Sequence, residues 1–322
     1  MKGSPSPMEV AMTDRTTPVI AAGEVRSALP MRVAVAAVQE ALRGGLDPET
    51  DPVRAAVPVD AGQLLLMPAQ SSRYAGVKIA SVAPDNPARG LPRIQGAYLL
   101  LDADTLTPLA ILDAVELTAI RTAAVSAAAA GLLAEPDAAR LVVFGTGPQA
   151  HSHVEALRSV RPLRHVAVIA RDEQRREEFL LRYEDSGLVV EAGDPGAVSG
   201  ADLVACCTTA RTPLFDGSLL ADHATVVAVG SHEPDAREID EVTVRRSTVV
   251  VEARSAALRE AGDIIQPVLA GQLSPEELFT LAELVRGCVP ADRDRPRLFK
   301  SVGMAWEDLV LAGAAYEATR RG

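Results

Sequence analysis

The run Leu141-Val142-Val143-Phe144-Gly145-Thr146-Gly147-Pro148-Gln149-Ala150 constrains this chain more than any other. Its four apolar residues read as a buried strand, and a helical stretch follows the turn. A G-x-G-x-x-A turn between a strand and a helix marks a Rossmann unit, and each position has a steric reason. Gly145 permits the tight turn. Gly147 lets the backbone close on a pyrophosphate, and Ala150 lets the helix pack on the strand. The helix N-terminus adds free N–H donors and positive potential for phosphate. Thr146 and Gln149 complete the stretch expected to face a dinucleotide.

The surrounding pattern agrees. After residue 140, apolar strands are expected at Leu141–Phe144, His165–Ile169, Leu188–Val190, Leu203–Cys206, Thr225–Val229 and Thr248–Val251, alternating with helices, as in a doubly wound sheet. Before it, a helical segment over Val25–Leu42 breaks at Pro30. Short β runs follow at Ala55–Asp60, Gln63–Met67, Tyr74–Val82, Ile94–Leu101 and Leu109–Ala114, then an Ala-rich helix over Leu117–Leu133. The fold class expected is α/β, a doubly wound Rossmann domain with an α+β domain beside it. Residues 18–124 and 300–322 form the α+β unit, with a closing amphipathic helix over Val302–Thr319. Residues 125–299 form the Rossmann unit, and 1–17 read as a flexible leader.

Composition narrows the function classes. A net charge of -11 excludes a broad nucleic-acid surface. No apolar run reaches the ~20 residues of a membrane span. Cys206, Cys207 and Cys288 form neither a disulfide framework nor zinc spacing, so no metal is expected, the thiols are read as core residues, and the setting is cytoplasmic.

Cofactor choice rests on the end of the second Rossmann strand. A carboxylate there binds the ribose 2′-OH of NAD, whereas Arg without one favours the 2′-phosphate of NADP. Ala170 takes the acidic position and Arg171 follows it, so NADP is expected. Asp172 serves equally as a helix cap or as a ribose ligand, which keeps NAD open. Thr208 and Thr209 follow a strand and suit either the nicotinamide side or plain turn capping. Val229 and Gly230 join the expected cofactor set. Arg54, Lys78 and Arg121 each stand in an apolar or small-residue run. Such cations suit a carboxylate cradle, and equally a structural ion pair.

Four ordered motifs sharpen this. Leu117-Thr118-Ala119-Ile120-Arg121-Thr122-Ala123-Ala124-Val125-Ser126-Ala127, Gly145–Ala150, Gly230-Ser231-His232-Glu233-Pro234-Asp235-Ala236-Arg237-Glu238 and Phe299-Lys300-Ser301-Val302-Gly303-Met304-Ala305 resemble the signatures of the ornithine cyclodeaminase/mu-crystallin family. The resemblance implies a homodimer in which the α+β unit binds substrate and dimerises. It also implies that Arg54, Lys78 and Arg121 hold a substrate carboxylate. Ornithine cyclodeaminases carry Asp where this chain has His232, and a second carboxylate where it has Leu65. Both departures remove negative charge, which disfavours a dibasic substrate. The expectation is therefore an NAD(P)H-dependent reductase of a cyclic ketimine carboxylate, Δ1-pyrroline-2-carboxylate or Δ1-piperideine-2-carboxylate. Lys78, Arg121 and His232 are the catalytic candidates, His232 as proton source. Water or a solution iminium could replace His232 in that role, leaving it a loop residue. Alternatives are ornithine cyclodeamination, alanine or N-alkyl amino-acid dehydrogenation, and a non-catalytic mu-crystallin-like ligand-binding protein.

Overall fold

The computed structural model describes residues 16–321 except 291 and 293, so most of the expected leader lies outside the described residues. The chain opens with β1 (Val19–Ile20), α1 (Ala22–Ala28) and α2 (Met31–Arg43). Pro30 separates the two helices because it has no N–H to continue the first. α2 buries Ala34, Val35, Val38 and Leu42 along one stripe. Strands β2 (Ala55–Val59), β3 (Gly62–Gln70), β4 (Tyr74–Val82), β5 (Ile94–Asp102) and β6 (Pro108–Asp113) follow. They form a six-stranded sheet in the order β1-β6-β5-β4-β3-β2, antiparallel except for the β1–β6 pair.

Helix α3 (Ala114–Leu133) joins the two sheets and packs on elements of both. Asp113 caps it, accepting from Glu116 N at 2.8 Å. By length and composition it would span a bilayer, contrary to the expectation that no run approaches that size; here it is a largely buried core helix. The expected domain divide at residue 125 falls inside it.

The second sheet uses β7 (Arg140–Phe144), α4 (Pro148–Val160), β8 (His165–Ile169), α5 (Glu173–Leu181), β9 (Val189–Ala192), β10 (Leu203–Cys206) and β11 (Thr225–Ala228). It continues with α6 (Glu241–Arg246), β12 (Thr248–Val251), α7 (Arg254–Glu260), α8 (Gly262–Leu269), β13 (Phe279–Thr280), α9 (Leu281–Val285) and β14 (Arg297–Lys300). Its order, β13-β12-β14-β11-β10-β7-β8-β9, is parallel throughout. β14, unforeseen as a strand, wedges between β11 and β12.

The chain closes with α10 (Ala305–Thr319), which returns to α1, α2, α3 and the first sheet. It was expected to be amphipathic. Instead it is enclosed on nearly every side, and Glu307 and Asp308 are wholly buried. Its two acids face internal partners, so polarity in the sequence did not mean exposure. The thiols also divide: Cys206 is buried, but Cys288 is exposed beyond α9 and is not a core residue.

Candidate active site

Side chains alternate across a strand, and residues directly opposite share a face. Met67, Lys78 and Tyr98 lie opposite one another on β3, β4 and β5 and share the face toward α3 and α10. Lys78 Nζ lies 2.7 Å from Asp308 Oδ2 and 3.5 Å from Thr118 Oγ1. Arg121 Nη1 lies 2.5 Å from Glu307 Oε2, and its Nε lies 3.4 Å from Asp308 Oδ1. Asp308 therefore bridges the two cations, which are only 3% and 6% exposed. Burial and then Arg121 lower Lys78 to about 8, with Asp308 opposing. Burial alone would lower Arg121, but Asp308, Glu307 and Glu252 outweigh it and hold the guanidinium charged. Burial and Glu252 push the Glu307 carboxyl well above the ordinary carboxylate range, against Arg121.

The turn before α10 completes the wall. Gly303 has φ +75°, and a Cβ there would stand 2.4 Å from Arg121 Nη1, so only glycine fits. Glu252, just past β12, holds this turn by accepting from Ser301 Oγ at 2.6 Å, Val302 N at 2.8 Å and Gly303 N at 3.1 Å. Asp51 accepts from Ala305 N and Trp306 N at 2.8 and 3.1 Å. Burial raises Asp51 to about 6.

Arg54 is placed differently from the other expected cradle cations. Its Nη2 donates to Gly303 O at 2.7 Å and Val302 O at 3.1 Å, and pairs with Glu260 Oε2 at 2.7 Å. It sits on the turn that packs against Arg121, tied to protein partners. His232 is exposed at the surface. Surrounding protein, then Arg54 and Lys300, lower its pKa, while Glu233 and Glu260 oppose. Leu65 lies on the same sheet face as Lys78, two residues from Met67, and is half-buried.

The glycine turn is formed as expected. Gly145 has φ +107°, and a Cβ would meet Cys207 O at 2.6 Å. The Cβ position of Gly147 is open, with nothing within 4 Å. α4 starts with no side-chain cap, leaving its first N–H groups free, and Ala150 is fully buried. Thr146 is half-buried beside them. These features fit a dinucleotide pyrophosphate. Gln149 turns its amide toward α3, donating from Nε2 to Thr118 O at 3.3 Å. Arg171 is exposed and, among the described residues, makes no hydrogen bond or ion pair. Asp172 caps α5 by accepting from Arg175 N at 3.1 Å.

Thr208 gives its N–H and hydroxyl to Glu238 Oε1 at 2.8 and 2.7 Å, and Gly230 N gives to Oε2 at 2.6 Å. Thr209 is exposed, and Val229 N bonds Cys206 O at 3.0 Å. Glu238 is itself held: Asp263 Oδ1 accepts from its N–H at 2.7 Å, and Lys300 lies 2.8 Å from Asp263 Oδ2. Burial raises the Glu238 carboxyl, with Lys300 opposing.

Sequence reasoning missed the acids Glu238, Glu252, Glu260, Glu307 and Asp308. Two of them had a signal: acids in the apolar run around Trp306 are as conspicuous as the cations singled out by that test. Leu65 and His232 do not leave the pocket without negative charge: three buried acids, Glu252, Glu307 and Asp308, act on Arg121, and two of them, Glu307 and Asp308, also on Lys78.

The sequence profile of the ornithine cyclodeaminase/mu-crystallin family matches residues 15–322. The chain belongs to that family. Among its relatives, the ketimine reductase mu-crystallin of Mus musculus is 34% identical over 298 residues, covering 91% of this chain and 92% of the relative. A solved Thermococcus litoralis Δ1-pyrroline-2-carboxylate reductase, in complex with NADH and L-proline, superposes with TM-score 0.88 at 30% identity, covering 95% and 98% of the two chains. An archaeal alanine dehydrogenase dimer with bound NAD superposes with TM-score 0.88 at 28% identity, covering 95% and 96%. The two-sheet arrangement is therefore shared with these structures over 95% of the chain.

Proposed function

We propose that this family member reduces the C=N bond of a small cyclic ketimine carboxylate, Δ1-pyrroline-2-carboxylate or Δ1-piperideine-2-carboxylate, to the cyclic amino acid. It is an NAD(P)-dependent oxidoreductase acting on C=N groups. The observation that carries this reading is the pair of buried cations, Lys78 on β4 and Arg121 on the facing helix α3, which Gln149 of the glycine turn also contacts at Thr118. When bound, the nicotinamide supplies a hydride to the imine carbon. Lys78 and Arg121 hold the substrate carboxylate; Asp308 and Glu307 fix where those cations point. Such positioning supplies much of the rate. Arg54 fixes the Val302–Gly303 turn and joins the carboxylate site by leaving Glu260. His232 delivers a proton toward the imine nitrogen. Its lowered pKa makes the imidazolium scarcer at neutral pH and a stronger acid. The turn at Gly145, Thr146, Gly147, Gln149 and Ala150 holds the pyrophosphate; Thr208, Thr209, Val229 and Gly230 line the nicotinamide side.

Arg171, free of protein partners among the described residues, supports NADPH as the preferred reductant, with NADH also used. A second copy of the chain covers the outer face of the first sheet, where Val57, Val59 and Ile79 are exposed. The three free thiols suit a cytoplasmic setting.

The test follows NADPH and NADH oxidation with five- and six-membered imine acids, with pyruvate plus ammonia or methylamine, and ammonia release from L-ornithine. Imine-dependent oxidation is expected. Ammonia release from ornithine would overturn the assignment, and faster turnover of pyruvate with an amine would move it to amino-acid dehydrogenation.

A further inference from the structure

A buried polar chain between α3 and α4 runs from His153 and Ser126 to Gln149 of the glycine turn. His153, fully buried on α4, places Nδ1 2.7 Å from Gln149 O and Nε2 2.9 Å from Ser126 Oγ on α3. A carbonyl only accepts, so Nδ1 carries the hydrogen. Nε2 then presents its lone pair, and the Ser126 hydroxyl must donate. Burial lowers His153 to about 4, which keeps this neutral form across the ordinary pH range.

Gln149, one turn back, is fixed at both ends. Its carbonyl receives His153 and its Nε2 donates to Thr118 O. A flipped amide would set two acceptors against each other, so the orientation is determined. Its Oε1 is then buried without a partner. That oxygen takes only a donor. A dinucleotide offers hydroxyl and carboxamide donors, whereas its ionised pyrophosphate offers none. Across the interface, Thr118 Oγ1 faces Lys78 Nζ, and Arg121 follows three residues along α3.

We propose that Gln149, locked by His153 and Ser126, is a positioning residue that transmits dinucleotide occupancy to the Lys78–Arg121 pocket. A donor on the partnerless Oε1 gives the amide already bonded to Thr118 O a second anchor, and α3 carries that restraint to both cations. The inference rests on the dinucleotide reading above.

Trp306, the only tryptophan, adjoins Glu307, so its fluorescence reports the pocket. L-proline is titrated with and without saturating NADPH, whose binding is verified separately by nicotinamide fluorescence. In the unaltered protein NADPH should tighten L-proline at least ~5-fold, the lower end of ordinary coupling between sites. In Gln149→Met that ratio should fall below about 2. Ser126→Ala, which leaves every ligand contact in place, should lower the ratio in the same direction. A merely structural role would shift the melting temperature and leave the ratio alone. A ratio near one in the unaltered protein, or an unchanged ratio in both variants with NADPH still bound, overturns the inference by itself. Failure of NADPH to bind the unaltered protein overturns the dinucleotide reading and this inference with it.

Discussion

Gly145 to Ala150 occupy consecutive positions, whereas the pocket joins Lys78 to an aspartate 230 residues away. The turn works through backbone shape and free N–H groups, and a short segment carries it. The pocket works through buried charges that satisfy one another across β4, α3 and α10. Damage to the first should weaken one ligand; damage to the second should strand a charge and cost the fold as well.

The sharpest way to break this contrast is Arg121→Met. It leaves Glu307 and Asp308 buried without their shared cation, so stability should fall by about 3–5 kcal/mol in denaturant unfolding. Carboxylate turnover should be nearly abolished. A fully stable variant would mean that the pocket's charges are independent, as the turn's groups are. Gly147→Val is the counterpart. Its Cβ position is open, so folding should be unaffected, while NADPH affinity drops by at least tenfold in a binding titration.

Acid and base limbs extend the comparison. Lys78 must be cationic to hold a carboxylate, and its folded pKa is about 8. KM for the imine acid should therefore rise as pH climbs through 8, with little change in KM for NADPH; a flat profile would remove Lys78 from the carboxylate site. His232→Asn tests a smaller share of the mechanism. Turnover should fall ~10²-fold or more if His232 donates the proton, and hardly at all if water does. The mildest effect concerns stability. His153 has a folded pKa of about 4 against an ordinary 6.5. The unfolded chain thus binds more protons between those values, so stability present above pH 6.5 is lost as pH falls toward 4. His153→Gln should flatten that acid limb in a series of melts.

Legibility followed the same division. Strands β2 to β6 and the β–α alternation of β7 to β12 are local patterns, and the structure places them within a few residues of the expected bounds; the two-residue β1 and β13 were too short to show one. Lys78 and Arg121 were visible because each interrupts an apolar run. Glu307 and Asp308 interrupt an apolar run in the same way, but nothing in the sequence says which cation each will meet. β14 escaped for a related reason. Arg297 and Lys300 bracket Leu298-Phe299 and look like surface charges, yet Arg297 pairs with Glu135 and Lys300 with Asp263. Glu307 and Asp308 made α10 look amphipathic by the same deception.

The place of β14 has a consequence in time. A ribosome delivers β11 and β12, and then α7, α8, β13 and α9, before the strand that belongs between the first two. Until it arrives, the growing polypeptide carries two apolar parallel strands with facing backbone edges unpaired, a state prone to mispairing with other chains. The strand that closes this gap also leads directly into the Gly303 turn and the Glu307–Asp308 pair. Completion of the sheet and completion of the pocket are thus one late event, and a nascent chain stalled before it has neither.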